Sequence, residues 1–504
     1  MPNAKRATKR TAKRPRTRTA KRLSTGIEGM DDILSGGLTP NRVYLVEGVP
    51  GSGKTTLAMQ FLIEGARLGE PVLYVTLSES EDELREVAAS HGWTLKGITL
   101  RELVPSEDNL QPDDQYTMFH PSEIELPETT KTILADVERT KPTRVVFDSL
   151  SELKLLAGNP LRYRRQILAL KQFFAGRHST VMLLDDLTSS SPDLQLQSIV
   201  HAVIRLEQLY PEYGAERRRL TVTKYRGSSY RGGYHDYRIA RGGIVAYPRL
   251  VAAEHNAPGV TERLATGVKE LDTMLGGGID RGTSALILGA AGTGKSTIAA
   301  QFVDAAAKRG QSACLFLFDE SVNTMLARTT ALGIDLKKYV KSGRVTIKRV
   351  DPAEFSPGEL INSIRKCVEK NNAAIVVIDS LNGYLNAMPN EHFLVIQLHE
   401  LLTYLAQKDV ATILISAQKG IVGMSLQSPV DATYLADTVL LTRYYETKGE
   451  VRQAISVIKK RRGKHERTIR DYSLGKGGIK VGRPLRGFRG VLSGVPVPEG
   501  DDEE

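Results

Sequence analysis

Two glycine-rich segments of the chain have the composition and spacing of a loop that binds nucleotide phosphates. They read GVPGSGKTT from Gly48 and GAAGTGKST from Gly289, and both satisfy the pattern G-x-x-x-x-G-K-[ST]. Glycines let backbone N–H groups turn towards phosphate oxygens, and the following helix adds the positive end of its dipole. Each segment follows an apolar, strand-like run and precedes a helical one, which is the context that the motif requires. Both are therefore predicted to bind ATP.

The residues of the two loops have distinct expected roles. Lys54 and Lys295 should reach the β- and γ-phosphates, and the hydroxyl groups of Thr55 and Ser296 should bind Mg²⁺. The residues predicted to contact ATP are Gly48, Gly51, Ser52, Gly53, Lys54, Thr55 and Thr56 in the first loop, and Gly289, Gly292, Thr293, Gly294, Lys295, Ser296 and Thr297 in the second. The alternative is a chance glycine turn, and two copies in register argue against it.

An aspartate ends a later apolar run in each half of the chain. Asp148 ends VVFD and Asp379 ends VVID. After a phosphate loop, at this distance, such residues are the expected outer partners of Mg²⁺. The alternative is an aspartate that only caps a turn.

Hydrolysis also requires a carboxylate that orients or deprotonates the attacking water. The candidates are Glu79 in VTLSES, and Asp319 with Glu320 in LFLFDES. In a parallel sheet the carboxyl ends of strands face the ligand crevice, so these side chains could reach the γ-phosphate. The alternative is that they are surface acids at the start of the next helix. Because Ser78 stands where the second copy has Asp319, the two sites are not expected to be equivalent.

A basic cluster follows late in each half of the chain. It comprises Lys224 and Arg226 in KYRG, and Lys460 and Arg462 in KRRG. A cation supplied by a neighbouring subunit would stabilise the charge that develops on the γ-phosphate. The alternative is a solvated hairpin, which suits Arg461 better. Recurrence in both halves favours the first interpretation, and it predicts a ring or filament whose sites form between subunits.

The elements that must position these residues also occur twice. LSTGIEGMDDILSGG and its continuation, from Leu23, match LATGVKELDTMLGGG and its continuation, from Leu264, with Lys54 and Lys295 in register. Short Val/Ile/Leu-rich runs alternate with helical stretches in each copy, which indicates a mostly parallel sheet covered on both faces. A chain of 504 residues is also too long for one core. The sequence therefore predicts two tandem α/β domains.

Charge and composition limit the function classes. The formal net charge is +11, but residues 1–22 hold ten Lys or Arg and no acid, so the rest of the chain is close to neutral. This segment is predicted to be disordered, and it is either a contact for nucleic acid or another anionic surface, or a solubilising extension. No apolar run is long enough to span a membrane. The two cysteines, Cys314 and Cys367, are too few for a disulfide framework and lack the spacing of a metal site. The expected compartment is the cytoplasm.

The doubled pattern resembles the KaiC family, the ATPases and autokinases of the cyanobacterial circadian clock. The openings L-[SA]-T-G-[IV], the phosphate loops, the strands that end in Glu or Asp-Glu, and the K-x-R-G segments carry this resemblance from about Leu23 to about Gly494. It implies two tandem RecA-like P-loop domains, at residues 23–250 and 263–490. A basic tail at 1–22, a linker at 251–262 and an acidic flexible tail at 491–504 complete the expected organisation.

The resemblance also implies an activity for each domain. Family members form two-tiered homohexamers in which the N-terminal ring hydrolyses ATP and the C-terminal ring phosphorylates and dephosphorylates its own residues. Glu79 matches the hydrolytic glutamate, and Asp319 with Glu320 matches a glutamate pair. Counting back from Asp437 places Thr433 and Tyr434 at the phosphoacceptor dyad, and Ser428 matches a further threonine. Because Tyr434 replaces an aliphatic hydroxyl, Thr433 is the expected main acceptor. The alternative is that these are ordinary loop residues.

The expected partners differ from those of the three-protein oscillator. After FRGVLSG only VPVPEGDDEE follows, whereas cyanobacterial members continue into a longer tail used by the activator KaiA, so docking of that activator is doubtful. A KaiB-like partner remains compatible with the resemblance. The preferred hypothesis is an ATP- and Mg²⁺-dependent ATPase and autokinase in circadian or stress timing. The alternatives are a nucleotide-gated signalling scaffold without kinase activity and, favoured only by the basic tail, a DNA-dependent motor of the RecA or DnaB type.

Overall fold

The computed structural model describes residues 22–103, 121–187, 194–255, 262–386, 393–418, 433–491 and 497–498. Their contacts divide them into two compact units. The first unit contains the described residues up to Gln208, with Arg218–Tyr234 and Arg238–Ala246. The second unit contains Leu209–Arg217, His235–Tyr237 and the described residues from Tyr247 onward.

The first repeat of the sequence forms seven helices and nine strands among the described residues. In chain order they are α1 (Met30–Ile33), β1 (Val43–Gly48), α2 (Lys54–Arg67), β2 (Val72–Thr76), α3 (Glu81–Ser90), β3 (Ile98–Glu102), α4 (Pro121–Thr140), β4 (Arg144–Asp148), α5 (Leu150–Ala157), α6 (Pro160–Ala175), β5 (Thr180–Asp186), α7 (Leu194–Ile199), β6 (Ala202–Leu209), β7 (Arg217–Tyr225), β8 (His235–Ala240) and β9 (Gly243–Tyr247). The strands form one sheet in the order β3-β2-β4-β5-β1-β6-β7-β8-β9.

The second repeat forms a sheet with the corresponding strand order. Its elements are β10 (Arg263–Leu264), α8 (Lys269–Met274), β11 (Ile279–Asp280), β12 (Ser284–Gly289), α9 (Lys295–Lys308), β13 (Ser312–Leu317), α10 (Val322–Ala331), α11 (Lys337–Lys341), β14 (Val345–Arg349), α12 (Pro357–Asn371), β15 (Ala373–Asp379), α13 (Leu381–Asn386), α14 (Leu394–Gln407), β16 (Ala411–Ala417), β17 (Thr438–Thr447), β18 (Glu450–Lys460), β19 (Ile469–Gly475), β20 (Gly478–Pro484), β21 (Phe488–Arg489) and β22 (Val497–Pro498). The nine-stranded order is β14-β13-β15-β16-β12-β17-β18-β19-β20.

The strand that precedes each phosphate loop lies inside a parallel sheet. β1 pairs in parallel with β5 and β6, and β12 pairs in parallel with β16 and β17. All six residues of each central strand are buried. Along β12, Ala285 and Ile287 belong to one hydrophobic core, whereas Leu286 and Leu288 belong to another, because successive side chains point to opposite faces. The predicted fold class, two tandem RecA-like α/β domains, is confirmed.

Local signals in the sequence explain several helix starts. Ser80 and Glu83 form a capping box at α3, in which each side chain accepts from the other residue's backbone N–H. Ser356 caps α12, whose first residue is Pro357. In the described residues no helix combines the length and the apolar character needed to cross a membrane.

The two cysteines are paired, which we did not expect from the sequence. Cys314 of β13 and Cys367 of α12 form a disulfide whose Cα atoms are 6.6 Å apart. Both residues are buried in the second unit, in the core between its sheet and its helices. One bridge of this kind links a strand to the helix packed on it, and it is not the disulfide framework that a small secreted domain requires.

Candidate nucleotide-binding and catalytic sites

Each phosphate loop ends in a glycine that no other residue could replace without strain. Gly53 has φ of 90° and Gly294 has φ of 87°, and α2 and α9 begin at the next residue. An added Cβ would lie 2.6 Å from Ile239 at Gly53 and 2.5 Å from Leu474 at Gly294. Both the left-handed backbone and the close packing therefore require glycine at this point.

The lysines of both phosphate loops are buried, but they have different hydrogen-bond and ion-pair partners. Lys54 donates to the carbonyl oxygens of Gly48 and Val49 at 3.0 and 3.1 Å, and it forms an ion pair of 2.6 Å with Asp186. Lys295 donates to the carbonyl oxygen of Ala290 at 2.7 Å, and its burial lowers its pKa. Asp186 was not a predicted site residue, although it ends the run STVMLLDD. Asp186 of β5 pairs with Gly48 of β1. The corresponding residue of the second unit is Ala417, which pairs with Gly289, so that unit has no carboxylate at this position.

The hydroxyl and carboxylate predicted to bind Mg²⁺ lie next to each other in both units. Thr55 donates to Asp148 at 2.9 Å, and the Ser296 hydroxyl lies close enough to Asp379 to lower the pKa of that carboxyl. Burial raises the pKa of Asp148, and it raises the pKa of Asp379 to about 6. Because Mg²⁺ prefers oxygen ligands and would favour the ionised carboxylates, these residues fit the ion.

Glu79 lies near the same point in the first unit. Burial and then the negative charge of Asp148 raise its pKa, and Lys54 opposes this effect. The Glu79 Oε2 atom is buried without a hydrogen-bond partner in the described part of the chain. A buried carboxylate with a raised pKa and a free oxygen can accept a proton from water.

The corresponding carboxylates of the second unit are held by other side chains. Ser380 donates to Asp319 at 2.5 Å. Arg328 of α10 forms an ion pair of 2.6 Å with Glu320 and donates to the hydroxyl of Thr297 at 2.9 Å. No motif in the sequence pointed to Arg328. The two sites therefore differ in carboxylate availability as well as in the replacement of Ser78 by Asp319.

The structure differs from the sequence prediction at Lys460 and Arg462. The backbone N–H of Arg226 donates to the carbonyl oxygen of His201, and that of Arg461 donates to the carbonyl oxygen of Asp437. His201 and Asp437 match, because each directly precedes the strand that pairs with β1 or β12. Arg461 is thus the counterpart of Arg226.

The lysines follow the same correspondence. Lys224 donates to Val200 O, and Lys459 donates to Ala436 O, both at 2.8 Å. Lys460 instead takes the place of Tyr225: its side chain is 1% exposed and donates to the carbonyl oxygens of Leu275 and Gly278. The physical reason is one extra residue before Gly463, together with a register shift in the β17–β18 pair.

The candidate phosphoacceptors lie directly before β17. Thr433 is partly buried and Tyr434 is 54% exposed. Their carbonyl oxygens accept from Lys459 and Arg461, each at 2.8 Å. Ser428 lies outside the described residues.

Comparison with known proteins agrees with this architecture. A family model for the KaiC ATPase matches residues 23–251 and 264–486. The circadian clock protein KaiC3 of Synechocystis sp. is 26% identical over 481 residues, with 94% of each chain covered. The circadian clock oscillator protein KaiC of Thermostichus vulcanus is 28% identical over 496 residues, covering 96% of this chain and 93% of that one. The chain therefore belongs to the KaiC family of ATPases.

Proposed function

We propose that this protein binds Mg-ATP in both units, hydrolyses it in the first and uses it in the second to phosphorylate its own Thr433. The observation that carries the proposal is the difference between two otherwise matching sites. Glu79 has a buried oxygen without a hydrogen-bond partner among the described residues, whereas Asp319 and Glu320 are bound to Ser380 and Arg328. The family relationship supports an ATPase, and the relatives' names support a role in circadian or other timing.

Hydrolysis in the first unit follows from the positions of its side chains. A water oxygen attacks the γ-phosphorus, the bond to the β-phosphate oxygen breaks, and ADP leaves. Glu79 takes the proton of the attacking water, because its raised pKa makes it a stronger base than an ordinary glutamate. Thr55 and Asp148 would hold Mg²⁺, which neutralises charge on the phosphates when it is bound.

Phosphoryl transfer in the second unit uses a hydroxyl in place of water. The Thr433 oxygen attacks the γ-phosphorus of an ATP held by a neighbouring subunit, the bond between that phosphorus and the β-phosphate oxygen breaks, and ADP leaves. The hydroxyl proton passes to Asp319 of the subunit that holds the ATP. The hydrogen bond from Ser380 orients that carboxylate. Dephosphorylation by the same site completes the proposed cycle.

Assembly into a homohexamer is part of the proposal. The basic pairs Lys224–Arg226 and Lys459–Arg461 bind carbonyl oxygens of their own chain. A neighbour's γ-phosphate would attract these cations more strongly than neutral carbonyls do. Nucleotide would then bridge subunits, so Lys54→Ala should weaken assembly, whereas an unchanged hexamer mass would count against the bridge.

Incubation of the purified protein with Mg-ATP, followed by phosphopeptide mapping, tests the kinase half. Phosphate on Thr433 that is lost in Asp319→Asn would support it, and Glu320→Gln serves as the comparison variant. Absence of phosphate from Thr433, Tyr434 and Ser428 would reject it.

A nucleotide-gated scaffold is the second candidate function. The ion pair between Arg328 and Glu320 favours it for the second unit, because a carboxylate held by a guanidinium is not free to orient a water or a hydroxyl group. ATP binding by a Glu79→Gln variant, which keeps both loop lysines, with neither turnover nor phosphorylation would select this alternative.

A further inference from the structure

A cavity of about 210 Å³ lies in the first unit, at the start of β1, the end opposite the phosphate loop. Its polar lining comes from Asn41, Arg42, Lys171, Ser179, His201 and Arg226. In the part of the chain that the structure describes, no carboxylate belongs to this lining. The cavity therefore gathers three cations and no countercharge.

The cations of this cavity destabilise one another. The pKa of Lys171 is lowered by burial and then by the charge of Arg226, and the pKa of Lys224 nearby is lowered by burial and by both of these residues. Their known partners are carbonyl oxygens: Lys171 donates to Ile199 at 2.6 Å and Arg226 donates to Ser198 at 2.6 Å. A bound anion would relieve this repulsion.

The ring of His201 also lines the cavity. Burial lowers its pKa to about 4, and the charges of the surrounding Arg42, Arg226, Lys171 and Lys224 contribute. Its ring packs edge-on against Tyr44 and Tyr225, and its Nε2 atom is buried without a hydrogen-bond partner in the described residues. In the tautomer with the proton on Nε2, this atom can donate to an anion.

The second unit fills the same position with its own anion. The backbone N–H of His201 donates to Val43 O and that of Asp437 donates to Ser284 O, so the two residues are counterparts. Asp437 pairs with Arg461 at 3.2 Å and accepts from the N–H of Ser284 at 3.0 Å. The cation is therefore compensated within the chain.

Two other cations of the cavity are absent from the second unit. Arg42 corresponds to Thr283, because Val181 and Thr412 donate to their respective carbonyl oxygens. Lys171 corresponds to Leu402, because both stand at the same distance along the chain before Val181 and Thr412, which occupy matching positions of β5 and β16. The cavity thus carries three positive charges in the first unit, whereas its counterpart has one positive and one negative charge.

We infer that Arg42, Lys171, His201 and Arg226 form a binding site for a phosphate-sized oxyanion in the first unit. The ligand takes the place that the Asp437 carboxylate occupies in the second unit. Either free inorganic phosphate or the terminal phosphate of a nucleotide has this chemistry, because both present several anionic oxygens to guanidinium and ammonium donors. The site is separate from the phosphate loops, although Arg226 also belongs to the basic pair proposed to act between subunits.

Calorimetric titration of inorganic phosphate into the full-length Lys54→Ala/Lys295→Ala protein tests the site, because this background removes both loop lysines. We expect saturable binding of one phosphate per chain, weakened at least tenfold in His201→Asp and competed by sulfate. His201→Asp reproduces the internal carboxylate of the second unit. Arg42→Thr and Lys171→Leu reproduce its other residues, should His201→Asp fail to fold by circular dichroism.

A second arm distinguishes the source of the phosphate. A non-hydrolysable ATP analogue is titrated into the protein with intact loops, with and without His201→Asp. A tenfold loss in this arm, without free phosphate binding in the first, would identify a nucleotide phosphate as the ligand. If neither ligand binds in a way that depends on His201, Arg42 or Lys171, the inference is overturned.

Discussion

Arg328 donates to the carboxylate of Glu320 at 2.6 Å and to the hydroxyl of Thr297 at 2.9 Å. It thereby links the acidic side chain to α9, the helix that carries the loop lysine. The helices α3 and α10 begin at the same distance along the chain from their phosphate loops. Val87 of α3 therefore stands in the first unit where α10 has Arg328. The structure thus restrains Glu320 by an ion pair, whereas the Oε2 atom of Glu79 has no hydrogen-bond partner among the described residues.

This relationship predicts that Arg328→Val increases ATP turnover by the second unit. Release of Glu320 would free its carboxylate to contact the attacking water, and we expect an increase of roughly tenfold, below the 10²–10⁴ that a fully positioned base supplies. Turnover is measured by phosphate release in a Glu79→Gln background, which suppresses hydrolysis in the first unit and keeps its loop lysine.

Two matched variants give this prediction its controls. Arg328→Lys keeps a cation near Glu320 and should change turnover much less. Val87→Arg, in a Lys295→Ala background, should lower turnover by the first unit. Equal rates in Arg328→Val and the parent would contradict the proposed restraint.

A second prediction concerns the pH dependence of the first unit. The carboxylate form of Glu79 activates water, and burial raises its pKa above the ordinary value of 4.5. Turnover by a Lys295→Ala variant should therefore fall as the pH drops through this raised pKa, at a higher pH than an exposed glutamate would give. Glu79→Gln should lower the rate by about 10²–10³-fold and abolish this acid limb. An acid limb that persists in Glu79→Gln would assign it to another group.

The strand–loop–helix context of the phosphate loops, and the position of Asp148 beside Thr55, could be predicted because each depends on a short stretch of sequence in a fixed strand context. The basic pair could not be placed correctly from sequence, because the glycine after it suggested the wrong alignment. Only the hydrogen bonds to His201 and Asp437 show that Arg461, and not Arg462, corresponds to Arg226. Arg328 and Asp186 escaped prediction because their partners are distant in sequence or belong to no motif.

The corrected alignment makes a third prediction. Lys459→Ala and Arg461→Ala should each reduce phosphorylation of Thr433 strongly, by up to about 10³-fold if they supply the cation between subunits. Arg462→Ala is the matched control, because it removes the next cation along the chain, and it should have little effect. Phosphopeptide yield over time gives the rate. If Arg462→Ala reduces phosphorylation of Thr433 more than Arg461→Ala does, Arg462 is the counterpart of Arg226, as the alignment on the following glycine predicts.

The ion pair between Lys54 and Asp186 leads to a fourth prediction. ATP must compete with Asp186 for the lysine, because the pair is 2.6 Å long and largely shielded from solvent. Asp186→Ala should therefore tighten ATP binding to the first unit by about three- to tenfold, since a charge-assisted interaction contributes about 1 kcal/mol or more. Binding of a fluorescent ATP analogue to a Lys295→Ala variant measures this change. Asp185→Ala removes the neighbouring carboxylate and should leave the affinity nearly unchanged, whereas weaker binding in Asp186→Ala would show that this residue assists the nucleotide.

The fifth prediction concerns a buried charge that the second unit lacks. Glu47 of β1 is 2% exposed; it pairs with Arg205 at 2.6 Å and accepts from Gln197 at 3.0 Å. The corresponding residues of the second unit are Leu288 and Leu441, at the same register of the parallel pair. Removal of one partner leaves a buried charge uncompensated, so Arg205→Ala should lower the free energy of unfolding of the first unit by about 3–5 kcal/mol.

The double variant Glu47→Leu/Arg205→Leu separates the cost of an unpaired charge from the value of the pair. It reproduces the apolar contact that already packs in the second unit, and apolar replacement of a buried ion pair is often neutral or stabilising. We therefore expect a much smaller loss in urea unfolding than in Arg205→Ala, followed by the fluorescence of Trp93 in the first unit. If the double variant loses as much as Arg205→Ala, the ion pair itself stabilises this sheet, and the two repeats use opposite chemistry for the same contact.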